Sequence, residues 1–128
     1  MTAGAGRRAE RGAVTAELAL GLPLLLAVTV GLVWLLAVGA GQVRVVDAAR
    51  EGARSLARGD PEQVAFGRAT TVAGEGSRVS ASHGGGEVVV TVTREVSGPG
   101  GLFDFLPGVR LEAEAVAASE SPPGEAGP

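Results

Sequence analysis

The stretch Arg11-Gly12-Ala13-Val14-Thr15-Ala16-Glu17, followed without another charge by LALGLPLLLAVTVGLVWLLAVGAGQV at residues 18–43, decides the fold class. About 20 apolar residues are enough to cross a bilayer as a helix. At about 1.5 Å rise per residue, residues 18–43 reach about 39 Å, against a hydrocarbon core of about 30 Å. The expected span is residues 18–43, with length to tilt or to project beyond the membrane. No later segment is long and apolar enough for a second crossing. The chain therefore reads as bitopic, with a short basic terminus on one side and a soluble portion on the other.

The flanks set the orientation. Arg7, Arg8 and Arg11 precede the apolar run, and positive residues beside a span are retained in the cytoplasm. The C-terminal portion is then extracytoplasmic, although Arg44, Arg50 and Arg54 on that side reduce the contrast. The formal net charge is -3, and no clustered positive surface of the kind that neutralises phosphates stands out, so no nucleic-acid partner is expected. There is no cysteine, which removes disulfides, a lipid-anchored thiol and zinc thiolate sites.

Outward from the span, residues 1–12 form a small basic leader without periodicity, expected to be disordered. A long helix is expected over 13–58, because no turn signal appears until Gly59-Asp60-Pro61. Pro23 lies inside it, where a missing N–H kinks a helix that neighbouring helices can re-satisfy. Asp60 reads as an N-cap and Pro61 as a first-turn residue for a second helix over 61–73, ended by Gly74 and Gly76. Residues 78–82 and 87–96 read as strands joined around Gly84-Gly85-Gly86, with Val88, Val90 and Val92 on one face. After a Gly- and Pro-rich loop, residues 109–117 alternate again, Leu111, Ala113 and Ala115 inward and Glu112 and Glu114 outward. The fold class is α+β: a long transmembrane helix extending into a small domain over 59–118 with a short helix and about three antiparallel strands. Residues 119–128 read as a disordered tail. Large apolar side chains are few, so packing on the long helix or on other subunits has to supply stability.

Glu17 and Gly12 carry the functional reading. A carboxylate near a helix start is favoured by the helix dipole, and an interfacial position costs little. Alternatively, a cut after Gly12 makes Ala13 the first residue and Glu17 the fifth. Glu17 of one subunit can then pair with the α-amine of Ala13 in a neighbour and set axial register, because a buried carboxylate needs a partner. Gly12 reads either as an ordinary flexible residue in a leader rich in Ala and Gly or as a scissile position, where the absence of a side chain lets a protease hold the peptide closely in an extended form. Taken together, the two residues favour the second reading.

The junction from Arg11 to Leu20, the helix with Pro23, and Val46-Asp47-Ala48-Ala49-Arg50-Glu51-Gly52-Ala53-Arg54 together resemble TadE-like minor pilins of the tight-adherence (Flp-type) pilus system, in particular its actinobacterial branch. The resemblance covers the N-terminal half. It implies a membrane-held pseudopilin processed by an aspartic prepilin peptidase. It also implies partners among the major pilin, other minor pilins and the inner-membrane assembly platform, with the lipid bilayer as first surroundings and an extracellular pilus as destination. Major pilins of this type are shorter and carry an aromatic residue after the glutamate; Leu18 stands there instead, which favours a minor component.

Ala27 and Gly31, and Ala37 and Gly41, form small-xxx-small pairs, read either as chance occurrences in a chain rich in Ala and Gly or as sites where helices approach closely. Arg50, Arg54 and Arg58 mark a basic stripe, read as a solvated face or as a contact for lipid phosphate or acidic neighbours. Ala49, Gly52 and Ala53 read as the face on which the helix packs against its own sheet. Leu102-Phe103-Asp104-Phe105-Leu106 reads as core packing, with partner docking as the alternative. His83 lacks the companions of a metal or triad site. The glycines at 84–86 and 98–101 match no phosphate-binding fingerprint. No catalytic, metal or cofactor site is expected, and the chain reads as a substrate and structural component. Two rivals stay open: a secreted binding protein with a signal peptide cut near Ala40, after Val38-Gly39-Ala40, and an unprocessed single-span assembly factor.

Overall fold

The structure is a computed structural model that describes residues 3–99 and 107–120, in the order α1 (Ala3–Ala57), α2 (Glu62–Ala73), β1 (Ser77–Gly84), β2 (Glu87–Val96) and β3 (Val109–Ala118). The apolar cluster at 102–106 and most of the expected tail lie outside the described residues. The chain divides into two units, Met1–Leu36 and Ala37–Pro128. The architecture is α+β, one long helix followed by a short helix and a three-stranded antiparallel sheet.

The first unit is helical from Ala3 and leaves its large apolar side chains uncovered, Leu20, Leu24 and Leu32 among them. Among the described residues, α1 is the one helix long and apolar enough to cross a membrane. The leader, expected to be disordered, instead continues α1 back to Ala3. Its Ala, Arg and Glu residues are good helix formers. Extending a helix that already exists also avoids the cost of nucleation, and this outweighs the glycines at 4, 6 and 12. Pro23 sits within α1.

The second unit starts with the last part of α1, which buries Val45, Ala48, Ala49, Ala53 and Leu56. Gly59 ends the helix at φ +87°. Its N–H donates to the Leu56 carbonyl (2.9 Å), and the Asp60 N–H donates to the Ser55 carbonyl (3.1 Å). This is the Schellman pattern, which satisfies carbonyls that the helix would otherwise leave open. Asp60 does not cap α2 as expected; Pro61 occupies the N-cap with no side-chain cap bond. The Asp60 carboxylate is drawn backward, taking a hydrogen bond from Ser55 Oγ (2.6 Å) and one from Arg68 Nη1 (3.2 Å), with Arg58 Nη2 at 3.5 Å. The α2 helix buries Ala65, Ala69 and Ala73, one every fourth residue, and Arg94 Nη1 donates to the Ala73 carbonyl (2.8 Å) at its C-terminus.

The sheet is a meander in the order β1-β2-β3. Gly84 pairs with Glu87 across Gly85 and Gly86, which have φ +61° and +79°. Two successive positive values are what a tight hairpin turn of this hand requires, and glycine adopts them without strain. Val88, Val90 and Val92 are fully buried, and Leu111 joins them from β3, while Glu112 and Glu114 are exposed, as the alternation requires. Beyond the last strand, the Glu120 N–H donates to the Ala57 carbonyl (3.2 Å), tying the end of β3 to the end of α1.

Candidate functional site

Arg7, Arg8, Arg11, Gly12, Ala13 and Glu17 all lie on α1 and are exposed. Ala13 and Glu17 are one turn apart on a common face, about 6 Å along the axis. A Cβ built at Gly12 would meet nothing within 4 Å, so packing gives no reason for glycine there. A glycine inside a helix costs about 1 kcal/mol relative to alanine. Position 12 is therefore a point of easy unwinding with room around it. Thr15 Oγ1 donates to the Arg11 carbonyl (2.8 Å), so its bond spans the Gly12–Ala13 peptide and breaks when that turn is drawn out. Glu17 makes no ion pair among the described residues.

The two small-residue pairs differ in their surroundings. Ala27 and Gly31 lie on one face of the uncovered unit, and nothing stands within 4 Å of a Cβ at Gly31. Ala37 is exposed, but Gly41 is buried: a Cβ there would come within 2.8 Å of Leu111 Cδ1 and 3.7 Å of Val96 Cγ2. The small size of Gly41 is thus used inside the chain, against its own sheet. The same holds for Gly52, whose Cβ would stand 3.1 Å from Val90 Cγ1 and 3.4 Å from Ala69 Cβ.

The basic stripe is split by its neighbours. Arg50 lies 3.9 Å from Asp47, and Arg58 belongs to the Asp60 cluster. Arg50, Arg54 and Arg68 line a groove of about 730 Å³ between α1 and α2, together with Asp47, Glu51 and the half-exposed Val64. Sequence reasoning did not foresee this groove or the Asp60 cluster. The role of Arg94 was within reach, because it shares the parity of Val88, Val90 and Val92 and an inward arginine needs an acceptor. His83 is exposed at the end of β1, opposite Val88. No cluster of three metal-ligating side chains occurs among the described residues.

A family model described as "TadE-like protein" matches residues 12–54. The match begins at Gly12 and covers Glu17, the apolar run and the small-residue face that packs on the sheet. No curated protein and no solved structure matches the chain.

Proposed function

We propose that the chain, TadE-like over residues 12–54 and hence a pilin-like component associated with a Tad pilus, is a minor pilin cut after Gly12 by a prepilin peptidase. Its helix then passes from the bilayer into a filament or into the complex that starts one. The observation that carries this reading is Gly12-Ala13 followed by Glu17 at the head of the charge-free run, at the start of the family match. The N-terminus faces the cytoplasm, with Arg7, Arg8 and Arg11 on that side, and the sheet domain is exported.

Processing requires one turn of α1 to unwind, and glycine with free space around it keeps that step inexpensive. Cleavage removes the three arginines and creates an α-amine on Ala13. In a filament of parallel helices, Glu17 of one copy meets the amine of the next when the copies are offset by four residues, about 6 Å. Pairing removes the cost of an isolated carboxylate among apolar helices. The major pilin, other minor pilins and the inner-membrane platform are the partners this path requires. A cut after Ala40 would leave Gly41 as a terminus buried against Leu111 and would remove Val38, which packs on the core.

Intact-mass measurement of the protein from native membranes tests the reading. A chain starting at Ala13 supports it. A start at Gly41 would make the protein secreted, and a retained Met1 or Thr2 would make it an unprocessed anchor. Gly12→Leu is expected to block the cut. Glu17→Gln is expected to be cut normally and to fail in assembly, read as loss of the protein from sheared pili.

A further inference from the structure

We infer that the lipid-facing part of α1 is residues 18–36 and that the uncharged residues 37–43 belong to the aqueous domain, so the outer boundary of the bilayer falls between Leu36 and Ala37. The inference rests on the membrane-anchored part of the proposed function and is independent of processing.

Three observations meet at this boundary. First, the outward-facing residues change character. Up to Leu36, which is 74% exposed, they are large and apolar, with Leu22, Leu25, Leu32 and Leu35 among them. From 37 onward the exposed positions are Ala37, Gly39 and Ala40, followed by Val43 and Arg44. Second, residues 18–36 measure about 28 Å as a helix, the thickness of a hydrocarbon core, whereas residues 18–43 exceed it by about 9 Å. Trp34 stands near the end of the shorter segment, at the level where aromatic residues gather at membrane interfaces.

The third observation is where the domain meets the helix. The sheet docks on α1 at Gly41 and Gln42: Leu111 and Val96 cover Gly41, and Gln42 Nε2 donates to the Glu112 carbonyl (3.1 Å). Glu112 belongs to β3, an edge strand of the sheet. An open sheet edge does not occur in hydrocarbon, because its unpaired N–H and C=O groups find no partner in lipid. The helix residues beside that edge are therefore outside the hydrocarbon, although the sequence there carries no charge. Gly41 is small because Leu111 and Val96 cover it, and Val38 and Val45 are apolar because they pack in the core of the domain.

The absence of native cysteine allows a direct test in the full-length protein. Single variants Leu24→Cys, Leu32→Cys, Gly39→Cys, Ala40→Cys and Ser82→Cys, all at exposed positions, are treated with a bulky charged maleimide in membrane fragments open on both faces. The reaction is repeated in detergent to show that every thiol is reactive. Labelling equal to Ser82→Cys at positions 39 and 40, and lost at 24 and 32 until detergent is added, is the expected result. Protection at 39 and 40 equal to that at 24 would overturn the boundary and return the span to 18–43. Full labelling at 24 and 32 without detergent would instead remove the membrane anchor itself, a failure of the underlying reading.

Discussion

The carboxyl of Asp60 is held below the usual carboxylate range, first by the hydroxyl of Ser55 and then by Arg68 and Arg58, against a partial loss of hydration that acts the other way. A carboxyl whose folded value is depressed stabilises the fold above its unfolded value, and that stabilisation is lost as pH falls through the folded value. Wild type is therefore expected to lose stability in the acid range more steeply than Asp60→Asn, the two urea midpoints converging as the carboxylate is protonated. Equal slopes in a pH series would show that the cluster does not contribute. Ser55 is fully buried at the start of this network, so Ser55→Ala should lower the midpoint at neutral pH and reduce the difference between wild type and Asp60→Asn. Gly59, at φ +87°, makes a separate demand: an L side chain in that region costs about 1 to 2 kcal/mol. Gly59→Ala should show a loss of that size in urea denaturation.

At the level of elements, the C-terminal part of α1 approaches β2 through glycine and alanine, and this close approach substitutes for large core side chains. Gly52→Leu is expected to destabilise the second unit by about 2 kcal/mol through overpacking against Val90 and Ala69. Val90→Ala should cost about 2 kcal/mol by removing buried apolar surface. The urea midpoints of the two variants would check both figures. Much of this was legible beforehand. Period-two alternation placed Val88, Val90 and Val92 inside and Glu112 and Glu114 outside, and Gly59-Asp60-Pro61 marked the break between the helices. What was not legible shares one cause, that local pattern does not say what lies across the fold. Asp60 has the composition of a cap, yet Ser55, Arg58 and Arg68 outcompete the open N–H groups of α2. Gly41 matches a helix-pairing motif, yet Leu111, seventy residues later in sequence, occupies the space. The leader lacks periodicity because none of its faces is buried, and absence of periodicity does not prevent a helix from extending into it. At the junction from Arg11 to Glu17, residue types and spacing were all legible, while the free space around Gly12 and the Thr15 bond across the Gly12–Ala13 peptide belong to the folded arrangement.

For the molecule as a whole, the two units make different demands on their surroundings. Among the described residues, every buried apolar residue of the core, from Val45 to Leu111, lies after residue 37, and those partly buried against it begin with Val38. The first unit contributes none of them. Half of the described core positions are alanine, Ala48, Ala49, Ala53, Ala65, Ala69 and Ala73, and the domain is small, close to the limit at which one core sustains a fold. A fragment starting at residue 37 should nevertheless fold, because it retains all of the described core together with the Gln42, Ser55 and Arg94 hydrogen bonds. Its urea midpoint by far-ultraviolet circular dichroism should equal that of the full chain in detergent micelles. Fluorescence would not serve, since Trp34 is the single tryptophan and lies in the other unit. A fragment that fails to unfold cooperatively would mean that the first unit, or a partner in the membrane, completes the core. A matching midpoint would mean that the uncovered leucines of 18–36 serve lipid and neighbouring helices alone. Leu24→Ser with Leu32→Ser in the full chain should then leave the midpoint of the domain unchanged while reducing the protein recovered in membranes.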